Sequence, residues 1–330
     1  MGVVSGDFNG DNLIDLVVTN FYNHTIDVLL GYGNGSFSLL TTLYVEQYPQ
    51  MVAVSDFNGD NRLDIVVGNR GSGTMSVLLG YGNGNFTVST VISTSTGMNP
   101  FAIGVGDFNN DNRIDLVTTN AGNNNVGVYL GYGNGNFSSP TTFSTDRSPL
   151  GIAVGDLNGD NDLDLVVTNA LNDSISILLG YGNGSFSSQT TFTTGYYPRS
   201  VAISDFNNDN QNDLVVTNYL GYTISIFFGY GNGSFATQMI MSTSISPFYV
   251  AVSDFNGDYQ NDIVISNSGS NNTGIYLGFG NRSFTSPILF STGGEPTYMT
   301  IDDFNDDGRK DLAIAHGDKV NVGILLNTCQ

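Results

Sequence analysis

One phrase returns along the whole chain, and this repeat constrains the fold more than any other feature of the sequence. It reads D-F-N-G-D-N-x-x-D-L-V-V-T-N with small changes, and its first Asp recurs after 49, 51, 49, 49, 49 and 49 residues. These seven aspartates are Asp7, Asp56, Asp107, Asp156, Asp205, Asp254 and Asp303. A period of this length indicates small units that bury their apolar faces against neighbouring units.

Each unit contains four short segments with the composition of β-strands. In the second unit they are 52–55, 64–67, 75–79 and 86–93, which are rich in β-branched residues and bounded by Gly, Asn, Asp and Pro. No window has a sustained helical period. We therefore expect an all-β protein.

Seven four-stranded units of about 49 residues fit a seven-bladed β-propeller. A linear β-solenoid is the alternative, but its rungs are usually shorter and its ends need capping units, which the sequence lacks. The expected domain is a single propeller over residues 1–330, with blade units beginning near residues 2, 51, 102, 151, 200, 249 and 298.

The last unit differs from the others at its end. A second phrase, L-G-Y-G-N-G-S-F, ends the third strand of the first six units, whereas the seventh ends in Ile324–Asn327 followed by three residues. We expect the last blade to lack a C-terminal fourth strand. Either the ring closes with a three-stranded blade, or the chain is a fragment of a longer repeat protein.

The Asp-rich part of each unit, D-x-N-x-D-x-x-x-D, is here called the aspartate loop. Calcium takes six to eight oxygen ligands, and alternate residues of a tight loop are able to supply them. The side chain at position 7 varies from unit to unit, as expected if only its carbonyl is a ligand. Magnesium fits less well because it requires stricter octahedral geometry. The sequence predicts up to seven structural Ca²⁺ ions, in loops between strands 1 and 2 of each blade.

The predicted ligands occupy positions 1, 3, 5, 7 and 9 of the seven loops: Asp7, Asn9, Asp11, Leu13, Asp15; Asp56, Asn58, Asp60, Arg62, Asp64; Asp107, Asn109, Asp111, Arg113, Asp115; Asp156, Asn158, Asp160, Asp162, Asp164; Asp205, Asn207, Asp209, Gln211, Asp213; Asp254, Asn256, Asp258, Gln260, Asp262; and Asp303, Asn305, Asp307, Arg309, Asp311. Seven Ca²⁺ ions would move the net charge of −21 to −7. The alternative is that these residues only form Asx-turns. Position 6 must turn sharply, so Tyr259 predicts that the sixth site is the weakest.

The aspartate loop D-F-N-G-D-N-x-x-D and the element G-Y-G-N-G-S-F together resemble the FG-GAP/VCBS repeat family over essentially the whole chain. The resemblance implies a seven-bladed propeller similar to the head of integrin α-subunits, with calcium between strands one and two. It also implies extracellular or cell-surface adhesion, sugar binding or scaffolding. Asn at loop position 6 departs from the usual Gly, and the final strand is missing. No signal peptide is visible in the first residues.

The two faces of the expected propeller differ. The aspartate loops and the Gly-Asn-Gly turns share one face, called here the loop face, and are nearly identical among units. The opposite, variable face differs in every unit, and variation on one face of a repeat protein usually marks its binding surface. We expect Tyr48, Tyr196, Tyr197, Tyr222 and Tyr298 to contact a ligand there. The alternative is that they only cover loops and blade edges.

Six of the loops that lead into a first strand contain a proline seven residues before the aspartate loop. These prolines are Pro49, Pro100, Pro149, Pro198, Pro247 and Pro296. Because proline fixes φ, each one gives the strand a rigid start.

The charge balance excludes several kinds of partner. With 9 Lys+Arg against 30 Asp+Glu, the chain has no basic patch for nucleic acid or anionic membranes. No apolar stretch is long enough to insert in a membrane. We expect a monomer with a protein or glycan ligand.

The sequence favours a calcium-stabilised interaction and adhesion module that binds its partner through the variable face. A calcium-dependent carbohydrate-binding lectin is the alternative, and a polysaccharide lyase or glycosidase is third. We expect no enzymatic activity, because His24 and His316 fall in loops of different units and most carboxylates belong to the aspartate loops. Cys329 lies in the C-terminal tail.

Overall fold

A computed structural model describes residues 1–94, 99–319 and 321–328 of the chain. Within these residues the structure is β apart from one 3₁₀ turn, Ser268–Ser270, and it contains no helix with the length and hydropathy of a membrane span. The strands form seven antiparallel sheets, six with four strands and the last with three. The all-β class, the seven-bladed propeller and the three-stranded last blade are therefore confirmed. Cys329 lies outside the described residues.

Blades 1 to 3 contain β1 (Val3–Gly6), β2 (Asp15–Asn20), β3 (Thr25–Gly31), β4 (Phe37–Tyr44); β5 (Pro49–Ser55), β6 (Asp64–Asn69), β7 (Thr74–Gly80), β8 (Phe86–Ser93); and β9 (Pro100–Gly106), β10 (Asp115–Asn120), β11 (Asn125–Tyr129), β12 (Thr141–Ser144). Blades 4 and 5 contain β13 (Pro149–Gly155), β14 (Asp164–Asn169), β15 (Ser174–Leu178), β16 (Thr190–Thr193); and β17 (Pro198–Ser204), β18 (Asp213–Asn218), β19 (Thr223–Phe227), β20 (Met239–Ser242). Blades 6 and 7 contain β21 (Pro247–Ser253), β22 (Asp262–Asn267), β23 (Asn272–Tyr276), β24 (Ile288–Ser291); and β25 (Pro296–Asp302), β26 (Asp311–His316), β27 (Val322–Leu325).

The second strand of each blade is the centre of the core, and all six of its residues are buried in every blade. Alternate side chains point to opposite faces of a strand. In blade 1, Leu16 and Val18 pack with blade 7, whereas Val17 packs with blade 2. The core thus lies between blades, and each such aliphatic side chain contributes about 1.5–3 kcal/mol on burial.

A backbone hydrogen bond joins most neighbouring blades at the loop face. The second glycine of a Gly-Asn-Gly turn donates to the carbonyl at position 2 of the preceding blade's aspartate loop. These bonds run from Gly84 to Phe8, Gly135 to Phe57, Gly184 to Phe108, Gly233 to Leu157 and Gly35 to Phe304, at 2.8–2.9 Å. The last bond connects blade 1 to blade 7, so the same contact that joins successive blades also closes the ring.

The junction of blades 7 and 1 has further contacts. The rings of Phe37 and Phe304 meet edge-to-face at 5.7 Å. The hydroxyls of Ser5 and Thr300 lie 2.8 Å apart, which explains why Ser5 stands where other units have Val or Ile. The ring therefore closes through side-chain packing and hydrogen bonds between blades.

Asn327 takes over the role of the absent turn in blade 7. Its backbone N–H donates to Asp311 Oδ1 at 2.7 Å, as a glycine does in each other blade. Its side-chain Nδ2 donates to the carbonyl of Phe255 in blade 6, also at 2.7 Å. A single side chain thus replaces the contact that blade 7 lacks.

We expect Asn327→Ala to lower the free energy of unfolding by about 1–2 kcal/mol, because the Phe255 carbonyl loses its donor. Thr328→Ala, at the exposed next residue, is the control and should leave stability unchanged. Urea unfolding measures both. Equal stability of the two variants would show that Asn327 does not hold the last blade.

Candidate functional sites: the aspartate loops and the channel mouth

The aspartate loop folds around its own side-chain oxygens. In blade 1, Asp7 Oδ1 accepts from Gly10 N at 2.7 Å and Asp7 Oδ2 from Asn12 N at 2.9 Å. Asn9 Oδ1 accepts from Asp11 N at 2.8 Å, and Asp11 Oδ1 accepts from Leu13 N at 2.8 Å. Closely similar bonds recur in the other loops. Positions 1, 3 and 5 therefore all direct oxygen atoms toward the inside of the loop.

Two residues in each loop have positive φ. Position 6 is left-handed in all seven, including Tyr259 at 64°, which is 91% exposed. Position 4 is left-handed as well and holds Gly, Asn or Asp, as at Gly10 (80°) and Asn110 (57°). Sequence reasoning found the turn at position 6 and missed the one at position 4. Gly, Asn and Asp tolerate this conformation, whereas Tyr adopts it at a cost.

The aspartate at position 9 is fully buried and clamps two segments of its blade. Asp15 Oδ2 accepts from Phe8 N at 3.0 Å, and Asp15 Oδ1 accepts from Gly31 N at 2.9 Å, at the end of the third strand. The equivalent residues Asp64, Asp115, Asp164, Asp213, Asp262 and Asp311 make the same pair of bonds. This structural role was not predicted; the role of these residues as metal ligands stays a prediction.

Burial perturbs these clamp carboxylates. Desolvation raises the pKa of Asp115, Asp164 and Asp213 from 3.8 to about 6, although two backbone N–H donors act in the opposite direction. Burial also raises the pKa of Asp15, Asp64, Asp262 and Asp311. The neighbouring aspartates at positions 1 and 5 add to the increase by repulsion.

The donor set of the loop fits a hard divalent cation. The side chains at positions 1, 3, 5 and 9 carry carboxylate or amide oxygens, and each carboxylate has more acceptor sites than its backbone bonds occupy. In blade 1 the Asn9 amide also donates through Nδ2 to Asp11 Oδ2 at 2.9 Å. Among residues 1–94, 99–319 and 321–328, no three His, Cys, Asp or Glu side chains already stand in metal-binding geometry.

In the metal-free protein, we expect stability to fall as pH rises from about 4 to 6. In this window the clamp carboxylates are still protonated in the folded state but ionised in the unfolded chain, so unfolding releases protons. Urea unfolding in EDTA at several pH values measures the trend. A rise in stability across this window would contradict the raised pKa values.

On the opposite face, the start of each inner strand shapes the mouth of the central channel. All six inner strands that begin with proline have a register shift directly after it, as between Pro198 and Val201 in blade 5. Bulges of this kind redirect side chains. The residues that follow the prolines are Gln50, Phe101, Leu150, Arg199, Phe248 and Thr297.

Five of these six residues line two adjacent cavities at the channel mouth. The larger, of about 270 Å³, is bordered by Gln50, Arg70 and Phe248. The smaller, of about 50 Å³, is bordered by Phe101, Leu150, Arg199 and Phe248. Phe248 and Tyr298 line both cavities, so the two form one recess.

The predicted ligand-binding tyrosines have different environments. Tyr196, Tyr222 and Tyr48 are 59%, 45% and 40% exposed. The Tyr48 ring packs on Phe21 at 5.0 Å, and Tyr197 packs on Tyr219 at 6.1 Å.

Tyr298 is 8% exposed and belongs to the recess, where its ring lies 5.4 Å from Phe248 and 5.3 Å from Tyr249. Ligand binding by the five tyrosines stays a prediction. Sequence reasoning missed Arg199, Phe101 and Phe248, although one signal was present: the residue after the proline varies among the units, with five residue types at six positions.

The histidines lie apart from each other. His24 Nδ1 accepts from Tyr48 N at 3.1 Å in blade 1. His316 was expected in a loop, but it is a buried residue at the end of β26, where Nδ1 lies 2.7 Å from Asn321 Oδ1. That expectation was wrong because His316 occupies the last position of the second strand, where the other blades have a buried Asn.

The fold and the repeated loop define a seven-bladed β-propeller of the repeat type. The chain belongs to the FG-GAP-like repeat family, whose model matches residues 7–67, 56–118, 107–167, 156–216, 205–265 and 254–314. A comparison with curated proteins found no match.

Solved structures share the fold at low sequence identity. BBS1N in complex with ARL6DN has a TM-score of 0.67 and 11% identity, with 99% of this chain and 93% of that chain covered. A lectin from Agrocybe aegerita that recognises non-reducing terminal N-acetylglucosamine has a TM-score of 0.64 and 16% identity, covering 96% and 85%. Virginiamycin B lyase from Staphylococcus aureus has a TM-score of 0.68 and 14% identity, covering 98% and 93%. At these identities the similarity extends to the fold alone.

Proposed function

We propose that the protein is a calcium-stabilised, non-catalytic interaction module of the adhesion type, acting outside the cell or at its surface. It binds a protein partner through the variable face. One observation carries this proposal: the loop face repeats nearly the same loop seven times, whereas the recess on the variable face is built from positions whose residues vary among the blades. A surface assembled once from seven different contributions suits one specific partner.

Calcium in this proposal has a structural role. The carboxylates and amides at positions 1, 3, 5 and 9, with the carbonyl at position 7, would hold it, and the ion would neutralise the repulsion within each loop. With free calcium about tenfold above Kd, each site adds about 1.4 kcal/mol, so seven sites add about 10 kcal/mol. That gain is comparable to the net stability of a whole domain.

We expect calcium to raise the thermal unfolding midpoint more than magnesium does. Asp160→Asn, at position 5 of the fourth loop, should remove about one bound ion per chain, because it loses a carboxylate ligand. Asp162→Asn, at position 7 of the same loop, is the matched control and should keep the full number. Equilibrium dialysis with calcium counts the ions. Equal loss in both variants, or no binding by the wild type, would refute the assignment.

The partner surface is tested with purified extracellular-matrix proteins by surface plasmon resonance. The double variant Tyr196→Ala/Tyr222→Ala should weaken binding at least tenfold, since both rings are exposed on the variable face. Tyr181→Ala/Tyr230→Ala removes two rings of 59% and 60% exposure from the loop face and should not weaken it. The reverse pattern, or no binding to any protein of the panel, would count against the proposal.

A lectin is the second candidate, because the recess is small and lined by aromatic rings that suit the face of a sugar. A glycan array with calcium-loaded and chelated protein separates the two functions. Calcium-dependent binding to one sugar class would favour the lectin. The proposal includes no catalytic role, since His24 and His316 lie in different blades. His24 accepts a hydrogen bond from Tyr48 N, and His316 is hydrogen-bonded to Asn321.

A further inference from the structure

Two arginines from different blades converge on the recess at the channel mouth. Arg70 follows the second strand of blade 2, and Arg199 lies on the inner strand of blade 5. Both guanidinium carbons lie over the Phe101 ring of blade 3, at 4.6 and 5.6 Å from its centroid. Arg199 also stacks on Phe248 at 3.6 Å. Aromatic faces thus hold two cations in place around one recess.

Neither guanidinium has an anionic partner. Ion pairs are formed instead on the loop face, for example by Arg62, Arg113, Arg282 and Lys310. Within the part of the chain that the structure describes, the side chains of Arg70 and Arg199 make only contacts with aromatic rings. In a protein with a net charge of −21, two unpaired guanidinium groups in one recess need an explanation. The guanidinium fork is suited to bidentate binding of a carboxylate.

A second polar group in the recess also lacks a partner. The side chain of Gln50 is 7% exposed and lines the larger cavity. Its Nε2 lies 3.4 Å from Tyr298 Oη, whereas its Oε1 is buried without a hydrogen-bond donor. A buried acceptor without a donor is destabilising, because it has lost its hydrogen bonds to water. A ligand that brings an N–H group next to an acidic group would satisfy both Gln50 and the arginines.

The surroundings of the recess select against a polyanion. Five acidic residues lie in the loops of this face: Glu46, Asp146, Asp173, Glu295 and Asp318. Asp318 borders the larger cavity and accepts a hydrogen bond from Glu295 N at 2.9 Å. It forms no hydrogen bond or ion pair with Arg70 or Arg199. The same loops also carry Arg147 and Lys319, and Lys319 borders the larger cavity beside Asp318, so five acidic residues stand against two basic ones outside the arginine pair. This acidic excess disfavours a polyanion and suits a neutral or basic partner surface that carries one carboxylate.

We propose that the recess binds one acidic side chain of a protein partner, a proposal that rests on the proposed function for the location of the partner surface. The partner's Asp or Glu carboxylate pairs with Arg70 and Arg199. A neighbouring backbone N–H donates to Gln50 Oε1, and apolar atoms beside it contact Phe248 and Tyr298. The rest of the partner's contact surface is basic or neutral, which complements the excess of acidic residues in the surrounding loops.

The test uses two blocked peptides, acetyl-Lys-Gly-Phe-Glu-Gly-Lys-amide and its twin with Gln in place of Glu, titrated into the calcium-loaded protein by calorimetry. The Glu peptide should bind about 10- to 100-fold more tightly, because the twins differ only in the charge. Arg199→Gln and Arg70→Gln should each reduce this preference at least tenfold. Arg199→Lys should keep part of it, since the charge remains but the fork is lost.

Arg147→Gln is the matched control, because Arg147 is an exposed arginine on the same face. It should leave the preference for the Glu peptide unchanged. Circular dichroism of each variant confirms folding, and Arg70→Gln, which leaves the stack on Phe248 intact, provides a second variant if Arg199→Gln fails to fold.

The inference is overturned by no binding of the Glu peptide at millimolar concentration, by equal binding of the twins, or by loss of the preference in Arg147→Gln. Tighter Arg-dependent binding of glucuronate than of the Glu peptide would assign the carboxylate to a sugar and overturn the protein source. If matrix-protein binding depends on Tyr196 and Tyr222 but survives Arg70→Gln and Arg199→Gln, the proposed function stands and this inference fails.

Discussion

The rest of the propeller depends on the two hydrogen bonds that the buried carboxylate at position 9 of each aspartate loop accepts from the backbone. In blade 1, Asp15 holds the backbone of Phe8 and of Gly31 at once, so it fixes the loop relative to the end of the third strand. The turn that follows this strand then donates a hydrogen bond from Gly35 N to the carbonyl of Phe304 in blade 7. Loss of the carboxylate would leave two buried N–H groups without acceptors. The bond within each blade therefore sets the contact between blades.

This arrangement separates the two faces of the molecule. The loop face carries the same requirements in every blade: positive φ at positions 4 and 6, inward oxygens and a turn that contacts the previous blade. The variable face has no such requirement beyond the proline and the bulge that open six of the seven inner strands. Side chains directly after the bulge are free to differ, and together they form the recess. The repeated loops and the proposed recognition surface thus lie at opposite ends of the channel.

The charges follow the same division. Most carboxylates lie in the aspartate loops, where their repulsion and burial are relieved by backbone donors and, in the proposed function, by calcium. At the channel mouth, Arg70 and Arg199 stack on aromatic rings instead of pairing with acids. An unpaired guanidinium in a recess keeps its hydrogen-bonding capacity for a ligand. In the proposed carboxylate site, the stacking would hold these groups in position before a partner arrives and so reduce the entropy lost on binding.

The sequence by itself determined the number of blades, their four strands and the residues of the aspartate loops, because these follow from local patterns that recur every 49 residues. The missing last strand was also readable, since the second phrase is absent after Asn327. Only the tertiary structure decided that Asn327 replaces that turn, that Tyr298 is buried in the recess, and that Arg70 and Arg199 meet around Phe101. The physical reason is that the repeated pattern reflects local requirements that are the same in every blade. The recess instead forms where single residues of separate blades meet at the channel mouth, and this depends on closure of the ring.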